Sequence, residues 1–154
     1  MSWAAIPVTM RSSAVSMALY LKVFLCLAPI FLAIDLLWLG VIMSGFYKAE
    51  MGPLLRRSGA AMAPIWWAAF LVYILIPLGL VIFVLPRLPL EASAALAFAW
   101  GALYGLILYG VYDFTNYALV AGWPLRLTLA DIAWGGTICG LAAVIAAALR
   151  RWLA

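Results

Sequence analysis

Apolar residues gather into four long stretches, and polar residues fall between them. The stretches are residues 23–43, 64–85, 95–120 and 127–149. About 20 apolar residues cross a hydrocarbon core of about 30 Å. Val23–Met43 holds one charge, Asp35, and Pro64–Leu85 holds none. The third apolar run, Ala92–Leu125, holds only Asp113 and is longer than one crossing needs; Leu127–Leu149 holds only Asp131. In lipid, backbone groups must pair within their own segment, so each crossing is a helix. The pattern predicts an all-α fold, an integral membrane four-helix bundle.

Between the spans, Ser44–Ala63 reads as the largest and most polar loop, with Gly52-Pro53 at its middle. Pro86–Glu91 and Ala121–Arg126 read as tight turns. Short connections make successive helices antiparallel neighbours. Residues 1–16 lack a sustained period and read as an N-terminal extension; residues 17–154 form the four-span domain. The first apolar run is longer than the 7–15-residue core of a signal peptide, which argues against cleavage there.

Small residues mark where helices approach. Ala97, Gly101 and Gly105 form a ridge at four-residue spacing, and Gly136 and Gly140 repeat it. Pro29 and Pro77 are expected to kink their helices. Trp3, Trp66, Trp67, Trp123 and Trp152 are placed for interfacial belts.

Composition removes the soluble alternatives. Charged residues make up 9% of the chain, against about 25% in soluble domains, so lipid has to cover the surface. The nine basic residues flank the spans rather than forming a patch for nucleic acid. Arg11, Lys22, Arg87, Arg150 and Arg151 fall on the side of the termini, and Lys48, Arg56, Arg57 and Arg126 on the other. Five against four places both termini in the cytoplasm. Cys26 and Cys139 read as small buried thiols, and the absence of histidine argues against common zinc and haem ligation. No metal site is assigned, and the sequence leaves any cofactor open.

Three of the five acidic residues lie inside spans, which carries more information than any other feature. Each costs roughly 2.5–3.5 kcal/mol at the bilayer centre on insertion scales. Antiparallel threading puts Asp35, Asp113 and Asp131 in the same membrane half. At 1.5 Å per residue Asp35 lies roughly 14 Å below Ser44, Asp113 roughly 10 Å below Val120, and Asp131 about 7 Å past Arg126. A motif D-x-x-W-x-G occurs twice, at Asp35–Gly40 with Trp38 and at Asp131–Gly136 with Trp134. It suggests an inverted repeat. Tyr109, Tyr112, Asp113 and Asn116 share the inward face of the third span.

Two readings stay open. In one, the acids pair with Arg126 and Lys48 and act as glue between helices. In the other, they line a pocket or relay that binds a ligand or moves protons. The candidate residues are Asp35, Trp38, Tyr47, Tyr112, Asp113, Asn116, Arg126, Asp131 and Trp134. Asp113 is expected to be ionised and held by Arg126 or several donors, and the deeper Asp35 to be neutral. No catalytic motif is present: there is no Ser-His pair, phosphate loop or metal-ligand cluster.

I-D-L-L-W-L-G at 34–40, G-F-Y at 45–47, Y-D-F-T-N at 112–116, G-W-P-L-R-L-T at 122–128 and D-I-A-W-G at 131–135 form an ordered set. From about Met17 onward it resembles the bacterial four-helix membrane proteins grouped as a domain of unknown function, numbered 2177. The resemblance implies an inner-membrane protein. By the association of such genes with lipid-modifying methyltransferases, it also implies a lipid-related role. The function expected is an accessory or binding protein for a lipid-like or small amphipathic ligand, in an acidic-aromatic intramembrane pocket. A small proton-coupled transporter and a non-catalytic subunit of a larger membrane complex are the alternatives. Membrane lipid, other membrane proteins or a second copy are the partners this allows.

Overall fold

Four helical segments are long and apolar enough to cross a membrane: Met17–Ile42, Trp66–Arg87, Ala94–Leu119 and Leu125–Leu153. The computed structural model describes residues 17–52, 54–58 and 61–154, and the extension assigned to residues 1–16 lies outside the described residues. The protein is an all-α integral membrane four-helix bundle.

Helix α1 (Met17–Leu37) runs into a π-helical turn, Trp38–Ile42. A short helix α2 (Ser44–Met51) follows, then two two-residue strands, β1 (Arg57–Ser58) and β2 (Ala61–Met62), paired antiparallel. Helix α3 (Trp66–Gly79) continues through a π-helical turn, Leu80–Val84, and a 3-10 turn, Leu85–Arg87. Helices α4 (Ala94–Leu119) and α5 (Leu125–Leu153) complete the bundle.

Span ends shift by one or two residues throughout, and three differences from the sequence expectation are larger. The first helix starts at Met17 rather than 23, because Lys22 is exposed and its flexible stem lets a charge sit in a helix end. The last helix runs to Leu153, with exposed Arg151 and buried Arg150 in its final turn. The polar segment Ser44–Ala63 is partly ordered as α2 and the strand pair rather than an open loop.

Helices α4 and α5 meet along the small residues. The buried positions of α4 are Ala97, Gly101, Gly105 and Asp113, a line at multiples of four residues. A methyl at Gly101 would strike the Cys139 carbonyl and sit 2.5 Å from Ala143 Cβ. One at Gly105 would strike the Gly135 carbonyl and sit 2.8 Å from Cys139 Cβ. Backbone meets backbone here, and in lipid that contact replaces the hydrophobic effect as the force for association. The Tyr109 ring covers Gly135 and the Phe98 ring covers Gly140. Cys26 and Cys139 are both free thiols.

These contacts run α4 antiparallel to α5, and the contacts of Asp35 and Arg150 orient α1 and α3. Helices α1 and α4 run one way and α3 and α5 the other. The two poles then differ in content. Away from α2, the core is apolar: Val23, Leu27 and Phe31 pack with Leu80, Val81, Val84 and the alanines 142–147 of α5. Arg150 closes this pole. It was expected at the membrane surface as an anchor, yet it is buried and donates to the carbonyls of Leu85 (3.0 Å), Leu88 (3.0 Å) and Pro89 (2.7 Å). Those carbonyls belong to the turn that ends the α3 segment; Leu85 and Pro89 also accept from the backbone N–H groups of Leu88 and Ala92, so Arg150 adds a second donor to each.

At the α2 pole, Trp123 is half-buried and donates to Thr128 Oγ1 at 3.2 Å, so it ties the α4–α5 turn. Gly122 in that turn has φ 81°, which a side chain would strain. Trp66, Trp67 and Trp152 are exposed at helix ends, as interfacial residues are.

Candidate functional site

Asp35, Asp113 and Asp131 all lie in the half of the bundle nearer α2. Asp35 is buried on α1 and accepts two hydrogen bonds, from the Trp134 indole at 2.7 Å and the Tyr73 hydroxyl at 2.9 Å. Helix α5 supplies the first donor and α3 the second, so one carboxylate links three helices.

The two D-x-x-W motifs interlock. Trp38 and Trp134 stack with centroids 4.1 Å apart and planes 4° apart. Trp134 donates to the acid of the other motif, Asp35. Trp38 reaches the remaining acid through one intermediary: its indole donates to the Tyr47 hydroxyl at 3.4 Å, and that hydroxyl donates to Asp131 Oδ1. An indole N–H can only donate, which fixes the direction of the Tyr47 proton. Antiparallel packing explains the exchange. With aspartate three residues before tryptophan on each helix, each acid falls opposite the other helix's indole. The repeat is therefore a local two-fold arrangement of α1 and α5. Burial first, then the bond to Asp131 and its charge, push the Tyr47 phenol above its ordinary range.

Beside this network lies a cavity of about 470 Å³. Its polar and aromatic lining is Asp35, Tyr73, Tyr109, Tyr112, Asp131 and Trp134. Leu39, Ala69, Val72, Leu75, Ile76 and Leu108 supply the apolar wall. The exposed lining residues are Val72 and Leu75 on α3 and Leu108 and Tyr112 on α4, so the mouth opens sideways between these helices. Below it they are joined, with the Tyr104 hydroxyl donating to the Ile76 carbonyl at 3.3 Å and lying against Gly79. Pro77 sits at that level of α3 and cannot donate to the Tyr73 carbonyl, which loosens the turn that carries Tyr73.

The structure gathers some candidates and separates others. Asp35, Tyr112, Asp131 and Trp134 line the cleft, while Trp38 and Tyr47 stand behind it. Asp113 is fully buried, and neither of its oxygens has a hydrogen-bond partner among the described residues; Asn116 Nδ2 also lacks one. Neither residue lines the cleft. Arg126, expected to hold Asp113, is on the surface and pairs with Glu50 at 3.6 Å. The donors thus serve Asp35 rather than Asp113, the reverse of the expectation. Tyr73 was missed, being a lone tyrosine in a charge-free span. Among the described residues no three His, Cys, Asp or Glu side chains come together as a metal would need.

Fold and cleft together define a multi-pass membrane protein in which Asp35 and Asp131 face a side opening. The chain belongs to the family described as predicted membrane protein (DUF2177), whose model matches residues 20–148. That stretch contains all three aspartates and both D-x-x-W motifs. No curated protein and no solved structure matches the chain.

Proposed function

We propose that the protein binds a lipid-like amphiphile in the lateral cleft, as an accessory or carrier protein of the membrane. One observation carries this reading: the cleft is apolar at its mouth, opens towards lipid between α3 and α4, and holds its carboxylates at the back. Its volume falls in the range of about 300–1,000 Å³ usual for small-molecule sites. A molecule already in the bilayer can enter without crossing water, tail along the rim and head inward. The membrane is the bacterial cytoplasmic one in this reading, with both termini on the cytoplasmic side. That orientation follows the count of basic residues along the sequence, five on the side of the termini against four on the other.

The test is a plug. Ala69 lines the cleft and makes none of its hydrogen bonds, so Ala69→Trp fills the space and leaves the acids alone. Native mass spectrometry of the wild type from mild detergent should show a one-to-one lipid adduct, and the variant should lose it. An adduct pattern identical in both proteins would overturn the reading.

A small proton-coupled transporter is the second reading. Asp113 favours it, because a buried carboxyl with no partner among the described residues is suited to exchanging protons. A substrate-dependent, pH-dependent flux in liposomes that disappears in Asp113→Leu would support this reading. Unchanged flux in Asp113→Leu would remove it.

A further inference from the structure

We infer that the head group received by this cleft is an ammonium carried on an apolar chain, whether a free long-chain amine or a lipid-borne one. The inference rests on the amphiphile reading above and names the chemistry of its ligand.

The lining sets the sign of the charge. It contains two carboxyl groups and no lysine or arginine. Arg126 is turned outward to Glu50. The donors nearest the acids are already committed, with the Trp134 indole and Tyr73 hydroxyl both on Asp35 and the Tyr47 hydroxyl on Asp131 Oδ1. Asp131 Oδ2 has no hydrogen bond among the described residues, so the network leaves a carboxylate acceptor unused beside the cavity. A phosphate or carboxylate head would meet two acids in a low-dielectric site and find only the Tyr109 and Tyr112 hydroxyls as donors. An ammonium would meet opposite charge and an open acceptor, and charge-assisted hydrogen bonds are the stronger kind.

The walls point the same way. Tyr73, Tyr109, Tyr112 and Trp134 contribute four aromatic rings to one small cavity. Aromatic faces attract cations, and rings grouped around a carboxylate are a recurrent means of holding ammonium groups. The apolar rim at Val72, Leu75 and Leu108 then accounts for the chain.

The experiment compares three probes of one chain length, dodecylamine, dodecanol and dodecanoic acid, on the full chain in maltoside micelles. Binding is read by calorimetry at neutral pH, where the amine is charged. The amine should bind at least about tenfold more tightly than the alcohol, and the acid more weakly than both. Asp131→Asn should abolish the amine's advantage over the alcohol. Exciton coupling of the Trp38–Trp134 stack in circular dichroism reports that the variant is folded. If Asp131→Asn does not fold, Asp131→Glu, which keeps the charge, should retain the amine preference, and its failure to do so in a folded protein would overturn the inference. Phosphatidylethanolamine competing with dodecylamine assigns the ammonium to a lipid source, and no competition assigns it to a free amine. Equal binding of the three probes, or an amine preference that survives Asp131→Asn, would overturn the inference. Binding that Ala69→Trp abolishes without any amine preference would sink this inference alone. No cleft-dependent binding of any probe would sink the amphiphile reading with it.

Discussion

Trp134 donates its indole proton to Asp35 across 99 positions of sequence, at 2.7 Å. The bond joins the second D-x-x-W motif to the acid of the first, and the stacked rings of Trp38 and Trp134 hold it in place. A buried carboxylate is thereby given a fixed direction, with one oxygen facing α5 and the other facing Tyr73 on α3.

That geometry ranks the acids. Asp35→Asn puts an amide N–H₂ where one of two donors already points, so a donor faces a donor. Leaving a buried polar group unpaired costs about 1–3 kcal/mol. Asp113→Asn disturbs no hydrogen bond among the described residues. Melting in detergent should therefore fall clearly for Asp35→Asn and change little for Asp113→Asn. A larger loss at Asp113 would show that it holds a partner in solution.

The α4–α5 contact gives a paired test on glycines of one helix. Gly105→Leu must push the Gly135 carbonyl aside, whereas a methyl at Gly110 meets nothing within 4 Å. Gly105→Leu should prevent recovery of folded protein. Gly110→Leu should leave melting unchanged or slightly raised, since leucine favours helix over glycine by roughly 0.5–1 kcal/mol. Size-exclusion profiles of the two variants decide it, and equal behaviour would deny the close approach.

Much of the bundle was legible in the chain because lipid imposes a rule that local propensity cannot override. The spans follow from it, and so does the inward face of α4, where Asp113 is buried on the line of Gly101 and Gly105. The pairings were less accessible. Charge alone suggested Arg126 for Asp113, but Glu50 competes for Arg126, and only the placement of α2 brings Glu50 near. Helix α2 itself was hidden, since S-G-F-Y-K-A-E-M is short and carries glycine and serine. The D-x-x-W repeat was visible. That its tryptophans would cross over to the opposite acids depends on the register of two helices, which no single motif states.

Tyr47 predicts an alkaline limit. Its phenol titrates above the ordinary value of about 10. The folded state therefore holds that proton more tightly than the unfolded state. Its contribution is fully present below pH about 10 and is lost as pH rises from there through the raised value. Stability in detergent should decline above pH about 10, and Tyr47→Phe should flatten that decline while lowering stability at neutral pH. An identical alkaline slope in both proteins would dissociate Tyr47 from it.

Arg150 has a consequence for the making of the protein. The carbonyls it satisfies, at Leu85, Leu88 and Pro89, precede it by 65, 62 and 61 residues. Synthesis runs from the N-terminus, so both helices flanking that turn are made before the residue that completes it. The α3–α4 hairpin cannot mature as a self-contained pair and waits on the last turn of α5. Assembly then ends with a locking step at that turn, and a chain interrupted before position 150 lacks the three bonds that tie α5 to it.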